Sequence, residues 1–178
     1  MSTSPIIILG SARSDGSTRK MVDFIAAETA WPIIDLKSKR IEYFDYSFNN
    51  QDDDFIPLME HILNKHDLML CATPVYWYSM SAIMKNFFDR MTDLLKVRKD
   101  LGAKLPGKQM AMLSCGSDEE WMESMRTPFE EGAKYLGMRY LGDVHTWLVA
   151  NEIPIEIQEK IRLFIQEITS PDKSLQQR

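Results

Sequence analysis

Residues 10–18 read GSARSDGST, which sets four hydroxyls, one guanidinium and two glycines within nine positions. That donor set suits an anion, because the free N–H groups and the positive dipole end of a helix start favour negative charge. The loop does not match a nucleotide-triphosphate or dinucleotide motif. Gly16 is followed directly by Ser17, with no lysine before the hydroxyl, and Gly10 and Gly16 do not give GxGxxG. A phosphate cradle and a serine-rich turn that caps a helix are the two readings left. A second stretch, TPVYWYS over 73–79, places three adjacent aromatic residues behind a proline. Proline stops a strand and stiffens the turn, and aromatic rings with backbone amides can wall a flat heteroaromatic ligand. Packing over a sheet edge or in a subunit interface is the alternative. A third stretch, SCGSDEE over 114–120, also leaves a strand end and is read as a second wall for the same crevice.

The elements that must position these loops alternate between strand and helix patterns. An uncharged β-branched run over 5–10 predicts a central parallel strand. A helix carrying Val22, Ile25, Ala26 and Ala27 follows, opened by Ser17 or Thr18 as cap and ending near Trp31-Pro32. Residues 32–36 predict a short strand and 37–53 an irregular segment. Asp54 caps a helix carrying Ile56, Met59, Ile62 and Leu63. Further strands are expected over 67–73, 108–114 and 139–147. Helices are expected over 79–95, about 120–136 and 153–168, with a frayed tail over 171–178. The helix over 79–95 has the clearest periodicity, with Met80, Ile83, Met84, Phe87, Phe88, Met91, Leu94 and Leu95 at helical spacing. The whole chain, 1–178, then forms one three-layer α/β domain whose ligand lies at the carboxyl ends of the strands.

Composition narrows the functional classes. The chain has 178 residues, 44% hydrophobic and 26% charged, with a formal net charge of −5. No Lys/Arg stripe is present that could neutralise a nucleic-acid backbone. The longest uncharged stretch, 68–84, is too short and too broken by Thr73-Pro74 to span a bilayer. The first nine residues lack the basic segment and the apolar length of a signal peptide. Cys71 and Cys115 show neither a CxxC nor zinc spacing, which suits a reducing, cytoplasmic setting without a metal site.

GSARSDGSTRKM after the first strand, TPVYWYSMSAIMKNFFDRM after the third and the Ser/Cys/Gly loop after the fourth resemble the NADPH-dependent FMN reductase group of flavodoxin-like proteins. The resemblance covers roughly residues 5–147 in order and spacing. Its specific part is the second motif, where the P-V-Y turn, Ser79 and the K-N-F-x-D-R segment from Lys85 to Arg90 occur together. It implies a five-stranded parallel sheet of order 2-1-3-4-5, with bound FMN carrying hydride from NADPH or NADH to a small acceptor. Flavin, quinone, azo or nitro compounds and ferric chelates are candidate acceptors. By the same resemblance Ser11, Arg13, Ser17 and Thr18 hold the FMN phosphate. Pro74, Val75, Tyr76, Trp77, Tyr78 and Ser79 contact the ring, and Ser114, Cys115, Gly116 and Ser117 close over it. Trp77 and Tyr78 stand where many members have small residues, which implies a narrower mouth. A homodimer or dimer of dimers built near the 79–95 helix is implied as well. A flavodoxin-type one-electron carrier and a non-catalytic flavin-binding module are the competing functions.

No catalytic side chain is required, since the flavin carries the chemistry. Cys115 has no partner cysteine or basic neighbour and is read as an inert loop residue, Cys71 as core. His145 is read as structural, with an approach to the crevice as the alternative. His61 and His66 are read as helix-surface residues, and Asp52-Asp53-Asp54 as a solvated loop rather than a cation site.

Overall fold

The computed structural model describes residues 4–170, so the tail expected over 171–178 lies outside the described residues. Five strands form one parallel sheet of order β2-β1-β3-β4-β5, as the flavodoxin-like resemblance implies. They are β1 (Pro5–Leu9), β2 (Ile33–Asp35), β3 (Leu68–Pro74), β4 (Gln109–Cys115) and β5 (Arg139–Thr146). The helices are α1 (Ser17–Thr29), α2 (Phe55–Lys65), α3 (Ala82–Asp89), α4 (Met91–Lys96), α5 (Lys99–Gly102), α6 (Thr127–Tyr135) and α7 (Ile155–Thr169).

The sheet is buried on both faces because both strand faces carry apolar side chains. Met69 and Cys71 of β3 pack with α2, α3, α4 and α6, whereas Leu68, Leu70 and Ala72 pack with α1 and α7. Burial pushes the Cys71 thiol up to about 12, in keeping with a core residue. Among the described residues no helix is long and apolar enough to cross a membrane, and no group of three or more His, Cys, Asp or Glu could hold a metal ion.

Several local expectations are corrected. Ser17 is the first helical residue of α1, and the cap is Gly16, which has no side chain to offer. The helix expected over 79–95 begins at Ala82, because Ser81 caps it by accepting from the Met84 N–H at 3.1 Å. The same Ser81 hydroxyl donates to the Gly10 carbonyl at 2.6 Å and ties α3 to the end of β1. The helix then breaks at Arg90 into α3 and α4. The helix expected over 120–136 keeps only Thr127–Tyr135, preceded by a 3-10 turn at Glu123–Met125. The short helix α5 follows α4 without a periodic signal in the sequence. His66 sits just beyond α2 and contacts the Ser4 hydroxyl through Nδ1 at 3.3 Å.

The acidic run 52–54 is not uniformly solvated. Asp53 is buried, 3% exposed, and forms an ion pair with Arg90, 1% exposed. Arg90 also reaches Asp93 Oδ2 at 2.8 Å and the carbonyls of Glu42 and Asn50 at 2.9 and 2.8 Å, with its guanidinium 4.9 Å from the Phe55 ring centre. Burial works against the guanidinium charge, but the hydrogen bonds that Arg90 donates to Asp53 and Asp93, with the charges of both, outweigh it and hold the Arg90 pKa above its ordinary value. It is Asp53, not Asp54, that accepts from the first helical N–H of α2, Phe55, at 2.9 Å. Asp54 instead accepts from the Arg40 N–H at 2.7 Å. The break in the long helix is therefore the place where one buried cation gathers the irregular segment before α2.

Candidate functional site

β1, β3 and β4 end side by side, and their loops enclose a cleft at the carboxyl edge of the sheet. The phosphate-loop residues come first. Because Gly16 is the cap and the first turn of α1 holds no acidic residue, no side chain of this helix satisfies the N–H groups at its start. A Cβ on Gly16 would stand 3.1 Å from Arg13 Nη2, so the missing side chain is what lets the guanidinium fold over the helix start. Ser11, Arg13, Ser17, Thr18 and Cys115 line a compartment of about 230 Å³ there.

A second compartment of about 270 Å³ adjoins it, lined by Trp77, Tyr78, Asp118, Met122 and His145. Val75, Gly116 and Ser117 line both, so the two are halves of one cleft. One half offers hydroxyls, a guanidinium and a bare helix start; the other offers aromatic walls.

The aromatic wall is a tight hairpin. Tyr76 and Ser79 exchange N–H···O bonds of 2.9 and 3.0 Å across Trp77 (φ 47°) and Tyr78 (φ 64°). Two left-handed residues in a two-residue loop make a type I′ turn, which favours Asn-Gly and is strained for bulky side chains. The side chains gain little burial in exchange, with Trp77 94% and Tyr78 64% exposed. The strain of this turn is thus offset by little packing at the cleft mouth. Replacing Trp77 and Tyr78 together by Asn and Gly is therefore expected to stabilise the protein by about 1–2 kcal/mol while weakening ligand binding. Denaturant unfolding with a parallel ligand titration checks both; a destabilised variant would show that the rings pack more than they strain.

The third loop is held from β5. A bulge in β5 sets Leu141 and Gly142 against one residue of β4, so Met110 pairs with Tyr140 but Met112 pairs with Asp143. Ser114 then pairs with His145. His145 is 4% exposed; its Nδ1 lies 2.8 Å from Ser114 Oγ and its Nε2 3.0 Å from the Asp118 carbonyl. Ser114 is fully buried, so its hydroxyl supports the loop from behind rather than lining the cleft. Cys115 does line the cleft, and burial raises its thiol pKa despite hydrogen bonds with Thr146 and Thr18 that lower it. Ser79 closes the hairpin and stands outside both compartments.

Sequence reasoning thus brought twelve of the lining residues together at the strand ends and left out Gly16, Asp118, Glu120, Met122 and His145. For His145 the available signal was its place near the end of the fifth strand, but the bulge that decides which way it faces has no hydropathic signature.

With this geometry in hand, comparison with known proteins is specific. The family model for NADPH-dependent FMN reductase matches residues 5–150. The Bacillus subtilis (strain 168) protein YwqN, named for NAD(P)H-dependent FMN-containing oxidoreductase activity, is 29% identical over 150 residues, covering 78% of this chain and 81% of its own. Among solved structures, an NADPH-quinone reductase from P. pentosaceus superposes with a TM-score of 0.67 at 16% identity, covering 95% of this chain and 99% of that one. The two-electron reduced flavodoxin of Megasphaera elsdenii superposes with a TM-score of 0.56 at 14% identity, covering 93% of this chain and 100% of that one. At these identities the two structures speak for the fold.

Proposed function

The chain belongs to the NADPH-dependent FMN reductase family, and on that premise we propose that it holds FMN in the two-part cleft and uses NADPH or NADH to reduce a small acceptor. The observation that carries this reading is the start of α1, where a bare N-terminus, an acid-free first turn and the hydroxyls of Ser17 and Thr18 adjoin an aromatic-walled compartment. That combination fits a ligand with one terminal phosphate and one flat ring. Ser11, Arg13, Ser17 and Thr18 would hold the phosphate. Pro74, Val75, Tyr76, Trp77 and Tyr78 would meet the ring from one side, with Ser79 closing their turn, and Cys115, Gly116 and Ser117 from the other, with Ser114 behind them.

When bound, FMN supplies two-electron redox chemistry between a nicotinamide donor and the acceptor. The protein's part is to orient both partners and to exclude water from the ring. Backbone amides of the strand-end loops would stabilise the charge that develops on the ring, and no side chain need serve as acid or base. Flavin, quinone, azo or nitro compounds and ferric chelates are the acceptors we carry forward. Homodimers or dimers of dimers and a cytoplasmic setting belong to the same reading, the latter supported by two free, buried cysteines. The periodic face that suggested a subunit interface is partly taken up inside the chain, where Phe88 meets Phe129 edge-on at 5.0 Å.

Two measurements on the purified protein test the function. Acid-released cofactor should co-elute with FMN, because the cleft has one phosphate compartment; FAD would contradict it. Steady-state oxidation of NADPH or NADH should require FMN and respond to at least one acceptor class. A protein that holds FMN but oxidises neither nucleotide would be a one-electron carrier instead.

A further inference from the structure

His145 is buried in the cleft wall and plays no part in the chemistry above, yet both of its ring nitrogens are engaged. A carbonyl can only accept, so the 3.0 Å contact with Asp118 O makes Nε2 the protonated nitrogen. In the neutral ring Nδ1 must then accept, and the Ser114 hydroxyl donates to it at 2.8 Å. One imidazole thereby spans from β4 to the loop that leaves it. The fit is close: a Cβ on Gly116 would come within 2.8 Å of His145 Cε1, so a glycine is needed for the loop to pass over the ring. The bulge at Leu141 and Gly142 is what brings His145 opposite Ser114, because a one-residue change of register sends every later side chain to the other face.

We propose that His145 is a positioning residue of the flavin cleft, anchoring the 116–120 loop at the aromatic half through the Asp118 carbonyl. The proposal rests on the reading of the cleft as an FMN site. It differs from the phosphate-loop assignment in a measurable way: an anchor at the ring half acts on riboflavin and FMN alike.

The charge state of the ring gives a second signature. Burial drives the His145 pKa below its ordinary value; the bond to the Asp118 carbonyl opposes this, Lys160 on α7 adds to it, and the Asp118 charge on the loop opposes it. Glu120 lines the same compartment, while Trp121 and Trp147 bring no charge to the ring. The folded protein therefore holds the ring neutral at pH 7. A state with the loop released, its histidine near the ordinary value of about 6.5, takes up the proton first as the pH falls below that value. Riboflavin binding to the parent should weaken over that range, and riboflavin avoids the titration of a phosphate group.

The test compares the parent with His145→Phe, His145→Gln and His145→Asn. Phe fills the volume without either hydrogen bond. Gln places an amide N–H near the position of Nε2, whereas Asn falls short of the Asp118 carbonyl. Fluorescence titration should show riboflavin and FMN affinity both falling on the order of 10-fold in the Phe and Asn variants, the effect of about one hydrogen bond. Gln should recover most of that loss and abolish the acid dependence. In flavin-free protein, hydrogen exchange should speed up in 117–120 for Phe and Asn but not for Gln. Should Phe fail to fold, the Gln and Asn pair carries the comparison. Unchanged binding in the Phe and Asn variants, or loss of FMN affinity without loss of riboflavin affinity, overturns the proposal. A parent that binds neither flavin overturns the functional reading instead, and the exchange arm then decides by itself whether His145 anchors the loop.

Discussion

Replacing Ser17 and Thr18 together by alanine is expected to weaken FMN binding on the order of 100-fold and to leave riboflavin binding nearly unchanged. The two hydroxyls stand in the first turn of α1 and line the half of the cleft beneath Arg13. Hydrogen bonds to a charged group contribute about 1.5–3 kcal/mol each, and about 1.4 kcal/mol is tenfold in affinity, so two losses near the lower bound give that factor. The fold should survive. Gly16 is the cap of α1, so the substitution removes no capping side chain, and alanine is favourable in a helix. The N–H groups at the helix start remain and account for the residual affinity. Paired titrations with FMN and riboflavin check the result. Equal FMN affinity in parent and variant would reduce the loop to an ordinary helix start.

Removal of the Arg90 side chain is expected to cost about 3–5 kcal/mol, because it leaves Asp53 and Asp93 buried without their counter-charge. For a chain of this size that corresponds to a fall of roughly 6–20 °C in Tm. The Asn50 carbonyl loses the Arg90 donor at the same time, and the Glu42 carbonyl is left with the Asn86 amide at 3.4 Å. Arg90→Ala, measured by denaturant unfolding, tests the figure. Arg90→Met combined with Asp53→Asn and Asp93→Asn should recover a substantial part, since the unpaired charges are then gone as well. A loss below about 1 kcal/mol for Arg90→Ala would put the pair in the class of solvated surface bridges.

These two sites mark where the chain's organisation is legible in its sequence and where it is not. β1, β3 and β4 are readable because each is a nearly uncharged run buried on both faces, a local property. The three strand-end loops are readable because their residue types conflict with a merely solvated turn. The break between α3 and α4 is not readable, because the apolar spacing continues straight through it. Its cause is a guanidinium whose partner Asp53 lies 37 positions away in an irregular segment. The same non-local pairing removes Asp53 from solvent, against the usual behaviour of an acidic run. The β5 bulge is hidden for a related reason: Leu141 and Gly142 look ordinary, and only pairing with β4 shows that one residue is extra. His145 is consequently identified as a cleft residue by the fold and not by its type.

The most direct measurement is an anaerobic titration with NADPH after loading the purified protein with FMN and removing the excess, followed in the visible absorption band of the bound flavin. FMN should be retained in proportion to the chain, and the band should bleach as NADPH or NADH is added, with colour returning when a quinone is supplied. Protein that retains no FMN, or retained FMN whose band is unmoved by an excess of either nucleotide, would contradict the assignment of the cleft as a flavin reductase site.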